Sequence, residues 1–172
     1  ALALEASTTQ HVFPRGNTIR YPKRFYLVSH LIKAMKKAPL PSIEATAQAK
    51  TYINNWIKTN TGGRKIITIT LREYELYPAR NSSLKDWGKF ARELDSNIYF
   101  PVILRDTDKA FDIIPQELDG LMMFNEAVWN IELRAALYEL SYLNMSVPNG
   151  PHTLFTMNKK TRYIMIKFVT ES

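Results

Sequence analysis

The chain contains no cysteine, which excludes disulfides, thiolate zinc sites and cysteine nucleophiles. It has no apolar run near the roughly 20 residues that a bilayer span needs. Secretory features are missing at the start, where Ala1 to Gln10 offers no basic flank and only a short apolar stretch. No P-loop, no G-x-G-x-x-G and no Ser-His-Asp spacing is present, so NTPase, dinucleotide and hydrolase readings lack their usual signatures. The three histidines, His11, His30 and His152, are scattered. His30 falls in a helical stripe and reads as packed, whereas His152 stands beside a turn and is a candidate binding group. Together these absences give a cytoplasmic expectation, peripheral to a membrane if a basic surface is used. The sequons at Asn81 and Asn144 then read as coincidence. A chain that begins at Ala1 rather than methionine reads as processed, trimmed or a fragment.

What is present is one domain's worth of ordinary globular sequence: 172 residues, 45% of them apolar. The net charge of +7 is unevenly placed. Residues 1–64 carry ten lysines and arginines against Glu5 and Glu44, while residues 65–172 carry thirteen basic and fourteen acidic side chains. The first third therefore reads as a basic, mainly helical region, and 65–172 as an α/β domain. A surface rich in Arg15, Arg20, Lys23, Arg24, Lys36 and Lys37 favours nucleic acid or an anionic membrane surface as partner; its bland alternative is a solvated face.

Periodicity predicts helices over Tyr26–Lys37 and Ile43–Thr59, the second capped by Ser42. Thr61-Gly62-Gly63 then turns the chain into a strand at Ile66–Leu71. A helix over Leu84–Leu94 opens at Ser83, and a strand follows at Ile98–Leu104, where Pro101 suggests an edge position or a later start. A short strand is expected at Leu121–Phe124 and a long helix over Glu126–Leu143. Thr153–Met157 and Tyr163–Val169 read as a strand pair or two edge strands. Alternating strands and helices predict an α/β, Rossmann-like three-layer sandwich with a mostly parallel sheet. With four or five strands in view, the chain reads as part of a longer protein or one lobe of a two-lobed one.

Both strong strands end on an arginine followed by an acid, Arg72-Glu73 and Arg105-Asp106. Ligands of open α/β sheets bind outside the carboxyl ends of the strands, and guanidinium groups there suit phosphate or carboxylate. An ion pair, for example between Arg72 and Asp106, is the structural alternative. In the following loop Arg80 is placed to reach the same anion and Asn81 to read a hydroxyl or amide, while Asn81 to Ser83 also suit a helix cap. Asp106 and Asp108 form a D-x-D pair, a weak signal for Mg²⁺ or Mn²⁺. Asn149-Gly150-Pro151 is a turn in which Gly150 would let a ligand approach the backbone.

Ile67-Thr-Ile-Thr-Leu-Arg-Glu, Ala79-Arg-Asn-Ser, Trp87 and Ile103-Leu-Arg-Asp-Thr resemble a group of bacterial glycosyltransferases distantly similar to the GT-B fucosyltransferases. Leu133-Arg-Ala-Ala-Leu-Tyr-Glu, Asn149-Gly-Pro and Thr161-Arg-Tyr-Ile extend the resemblance over about residues 65–170. It implies a GT-B lobe that binds a nucleotide diphosphate sugar and passes the sugar to a glycan or other hydroxyl acceptor, without cofactor or metal. An H-x-R-R-x-D motif in those enzymes holds the donor's diphosphate. Here Arg72 matches one arginine, and Thr70 and Glu73 replace the histidine and the other. Substrate contacts then fall to Arg72, Arg80, Asn81, Arg105, Asn149 and Gly150, with Glu73 or Asp106 as the base. A non-catalytic module docking through its basic region is the rival expectation.

Overall fold

The computed structural model describes residues 42–166, all in the second of the chain's two units, Pro41–Ser172. The helix expected over Tyr26–Lys37 and the basic residues Arg15 to Lys37 lie outside the described residues. The domain is α/β and Rossmann-like. Its strands are β1 (Lys65–Thr70), β2 (Tyr99–Leu104), β3 (Met122–Met123), β4 (Leu143–Ser146) and β5 (Tyr163–Met165). They form one sheet in the order β3-β2-β1-β4-β5, with every pair parallel. The helices are α1 (Ala47–Asn60), α2 (Leu84–Glu93), α3 (Glu126–Trp129), α4 (Ile131–Leu140) and α5 (Thr153–Thr156).

A central parallel strand is covered on both faces, so it can be apolar or β-branched throughout. β1 (KIITIT) is such a strand, buried from Ile66 onward. Side chains alternate across it. Ile66 joins Phe100, Val102 and Leu104 in a core with Ile53 of α1 and Leu137 of α4. Ile67, Ile69 and Leu71 join Ile103 and Met145 under Trp87 and Ala91 of α2. Each fully buried Ile or Leu contributes about 1.5–3 kcal/mol, so the two cores account for most of the attraction between layers. On α2, a Cβ at Gly88 would run into the carbonyl of Glu117, which is why only glycine lets that helix close on the turn below it.

Local signals explain most element ends. Ser83 caps α2 through Asp86 N. Gly62 and Gly63 both take positive φ after α1, a conformation that costs other residues energy. Several expectations need correction. α1 starts at Ala47 with Thr46 as its cap, because Ser42 instead accepts a bond from Lys159 N. Pro101 does not mark an edge: β2 lies inside the sheet, and it is tolerated because β3 pairs only with Val102 and Ile103.

The long helix is broken in two. Asn130 leaves helical geometry and turns its side chain to cap α4 at Glu132 N and Leu133 N. α4 stops at Leu140, and Leu143–Ser146, expected to be helix or loop, is the strand β4 beside β1. Thr153–Met157 is helical rather than a strand, so β5 pairs with β4 in parallel and not with Thr153–Met157. The described part of the last strand covers Tyr163–Met165. α1 packs on α4, in the same helical layer of the sheet domain.

Candidate functional site

The chain builds outward from β1 through β2 to β3, then returns to place β4 on the other side of β1. The strand order reverses between β1 and β4, and in open α/β sheets that is where the ligand crevice opens, beyond the carboxyl ends. The two arginine-acid pairs sit at this edge but do different work.

Glu73 and Arg105 hold each other. Arg105 is 4% exposed and donates through Nε and Nη2 to both Glu73 oxygens, at 2.9 and 2.7 Å. Its Nη1 reaches the carbonyls of Asp112 and Ile113. Glu73's hydrogen bonds and charge outweigh burial and raise the Arg105 pKa above its ordinary value. Asp106 accepts from Glu73 N at 3.2 Å and from Thr107 N at 3.1 Å. Lys109 bridges to Glu75 at 3.2 Å. These bonds clasp the loop after β1 to the loop after β2. The ion pair weighed between Arg72 and Asp106 is thus made by Arg105 and Glu73.

The remaining predicted residues are distributed along the same edge. Arg72 exchanges two backbone-level bonds with Ser82, Arg72 N to Ser82 Oγ and Ser82 N to Arg72 O, each 2.9 Å. Its guanidinium lies 5.4 Å from the centre of the Tyr74 ring. Asn81 pins its own loop by a two-way exchange with the backbone of Tyr74. Arg80 is exposed on a short 3₁₀ turn, Pro78–Arg80, apart from the clasp. A Cβ at Gly150 would meet nothing within 4 Å, so the backbone there is open to approach. Among the described residues no group of three His, Asp or Glu side chains gathers as a metal site.

Among the described residues, four buried side-chain polar atoms have no hydrogen-bond partner: Arg72 Nε, Arg134 Nη2, Ser146 Oγ and Asn149 Nδ2. Buried polar groups are paired in the great majority of cases, so each exception calls for an explanation. All four sit at the carboxyl edge of the sheet. Arg72 follows β1, Ser146 ends β4 opposite Thr70, and Asn149 follows β4. Arg134 lies in the first turn of α4, which runs back towards the start of β4 and so begins at the carboxyl edge.

Arg134 is the most telling. It is 5% exposed, bonds only the Ala127 carbonyl through Nε at 2.7 Å, and makes no ion pair among the described residues. Its charge acts on Tyr138, whose phenol is pushed up by burial and partly drawn back by Arg134 and by a bond to Thr70. That bond, Thr70 Oγ1 to Tyr138 Oη, is 2.7 Å. Arg134 opens onto a cleft of about 390 Å³ that Trp129, Ile131, Gly150 and Leu154 also line. Cavities of this size suit small ligands.

His152 belongs here too. Asn149 N donates to His152 Nδ1 at 3.1 Å, and His152 N donates to Asn149 Oδ1 at 3.0 Å. Nδ1 is an acceptor, so in the neutral ring the proton sits on Nε2. Sequence reading did not select Arg134 or Ser146 as site residues. One signal for Arg134 was available: it stands three residues before Leu137 on the buried face of the helix, where an arginine is out of place.

No protein-family profile matches the chain, and no curated protein matches it. One solved structure, described as E. coli ADP-heptose LPS heptosyltransferase II, superposes with a TM-score of 0.47 and 12% sequence identity. The superposition covers 76% of this chain and 46% of that one, so the chain spans less than half of that protein's length. A likeness this loose leaves function to the geometry. No helix among the described residues is long and apolar enough to cross a membrane.

Proposed function

We propose that this domain binds a nucleotide diphosphate sugar at the carboxyl edge of β1 and β4 and takes part in transferring the sugar to a hydroxyl acceptor. The observation that carries the reading is the set of unpartnered buried groups at that edge, above all Arg134 Nη2. A buried guanidinium without a carboxylate is costly unless an anion completes it. A diphosphate offers that anion, with several acceptor oxygens for Arg134, Arg72 and Asn149 Nδ2 and for the Nε2–H of His152.

In the transfer, the bond between the anomeric carbon and the diphosphate oxygen breaks while the acceptor oxygen bonds to that carbon. The nucleotide diphosphate leaves with the electron pair, and the arginines stabilise its charge. The acceptor's proton passes to Asp106, which is partly exposed and keeps lone pairs beyond its two backbone bonds. Glu73, committed to Arg105 at both oxygens, is the weaker of the two expected bases, and Arg105 is the weaker donor ligand.

A thermal-shift panel of GDP, UDP, ADP and their sugars tests the binding step, since a ligand that binds only the folded state raises apparent stability. At least one diphosphate should raise the midpoint; no shift with any member contradicts the reading. Undiminished turnover in Asp106→Asn would remove Asp106 as base. The basic excess of residues 1–64 supports a second reading, docking on nucleic acid or an anionic membrane. Affinity for either that falls steeply with salt would favour it.

A further inference from the structure

Phe111 and Trp129 form a stacked pair, with ring centroids 5.6 Å apart and planes 14° apart. Phe111 belongs to the loop after β2 and Trp129 ends α3, so two separate carboxyl-edge loops present one plate. Stacked aromatic pairs are ordinary inside a core, where burial drives them together. This pair is in water: Phe111 is 78% exposed and Trp129 57%. Trp129 also lines the cleft onto which Arg134 opens. One cleft therefore joins an exposed aromatic plate to a buried guanidinium whose Nη2 lacks a partner.

We propose that the Phe111–Trp129 plate is the base-binding surface of this site and selects ligands that carry an aromatic base beside their phosphates. The proposal rests on the nucleotide reading above and adds what part of the ligand is read and where. A flat base extends the existing stack, and its phosphates reach back to Arg134 and the Asn149 turn. Next to Trp129 the cleft is lined mainly by Val128, Ile131 and Leu154, with the Thr153 hydroxyl as its one neutral polar side chain and no acid among the residues that line it. The surface thus favours large rings over small ones and selects by ring area more than by hydrogen-bond pattern. Purine diphosphates should bind more tightly than pyrimidine ones, because stacking grows with ring area.

The test is a calorimetric titration of the full chain with ADP, UDP and inorganic pyrophosphate, repeated with Trp129→Ala, Trp129→Phe and Phe111→Ala. Base–aromatic stacking judged by alanine substitution is worth about 1–3 kcal/mol per base, so the nucleotides should exceed pyrophosphate by about tenfold. Trp129→Ala should cancel that advantage and leave pyrophosphate binding unchanged, while Trp129→Phe retains most of it. Phe111→Ala, at a side chain largely in water, should lower it by a smaller factor without loss of fold by circular dichroism. An unchanged ratio of nucleotide to pyrophosphate in Trp129→Ala overturns the base surface and leaves the anion site standing. Failure of both nucleotides and pyrophosphate to bind the unaltered chain overturns both. If Trp129→Ala alters only self-association, the plate is a protein-docking patch and the proposal is wrong.

Discussion

Helix α4 carries a buried charge near each end. Near its C-terminus, towards the amino edge of the sheet, Glu139 has a side chain 7% exposed and a bond to Lys50 at 2.6 Å. It also accepts from Ala45 N and Asn158 Nδ2, each at 3.1 Å. Near its N-terminus, at the carboxyl edge, Arg134 is 5% exposed with one carbonyl bond and an Nη2 that meets nothing. Both groups are comparably buried on one helix, yet only one is fully wired. Folding alone explains Glu139, which staples the start of α1 and the turn after α5 to α4. It does not explain Arg134, and the same edge holds every other unpartnered buried side-chain atom among the described residues. A second pair of sites teaches the same lesson, since Arg105 is as buried as Arg134 but has both oxygens of Glu73.

The contrast can be broken from either side. Glu73→Ala leaves Arg105 buried without its carboxylate and removes the charged tie between the two loops. The expected cost is about 3 kcal/mol, read as a fall in the urea midpoint; a cost near zero would mean that Arg105 finds another partner. Glu139→Ala removes the carboxylate that Lys50, Lys160, Ala45 N and Asn158 Nδ2 share and should cost about 2 kcal/mol.

Glu139 also predicts a pH dependence. Burial pushes its pKa up, but the bonds from Lys50, Ala45 N and Asn158 more than offset this and hold it below the ordinary carboxylate value. A depressed carboxylate stabilises the fold above its unfolded pKa, and the stabilisation is lost as pH falls through the folded one. Glu139→Gln should therefore flatten the acid limb of the stability profile. An unaltered acid limb would show that the Glu139 network contributes little.

Arg134→Met behaves in the opposite way. It removes a charge that no carboxylate pairs and that one carbonyl alone bonds, so stability should change by about 1 kcal/mol or less, in either direction. A loss as large as that of Glu73→Ala would make Arg134 a structural residue and erase the contrast. Smallest of all is Arg80→Ala, on an exposed turn outside the clasp, expected within about 0.5 kcal/mol of the parent. Its effect on diphosphate binding decides whether the loop folds over a bound ligand.

Much of the fold was legible because strong local signals agreed with the tertiary answer. β1 and β2 announced themselves by β-branched runs, α2 by Ser83, and the end of α1 by two glycines. β4 was hidden because Leu143-Asn144-Met145-Ser146 has no β-branched residue, alternates over only four positions, and starts on a leucine that also continues the preceding helical stripe. Asn144 is an interior residue, 0% exposed, satisfied by Thr68 and the Tyr138 carbonyl. No local pattern encodes a buried asparagine whose partners come from a distant strand and the preceding helix. The broken helix was equally obscure, since Asn130 is an ordinary residue until its side chain turns to cap.

The site was half legible. Strand-end arginines pointed to the edge where the unpartnered buried groups gather, but sequence cannot say which acid an arginine will choose, so Arg105 and Arg72 looked alike. The structure separates them: Arg105 is spent on Glu73, and Arg72 keeps a buried Nε without a partner. Arg134 becomes visible as a site residue only when the return of the chain to β4 brings the start of α4 beside the Asn149 turn.

On this reading the carboxyl edge is incomplete without an anion, and Arg134 is the anion's anchor. Calorimetric titration of inorganic pyrophosphate into the full chain and into Arg134→Met, each at two salt concentrations, tests it most directly. The parent should bind and the variant should bind at least about tenfold more weakly, as expected for one lost charge-assisted contact. The difference should survive the higher salt, because a buried charge is little screened. Equal affinities in the two proteins, or a difference that vanishes with salt, would contradict the account.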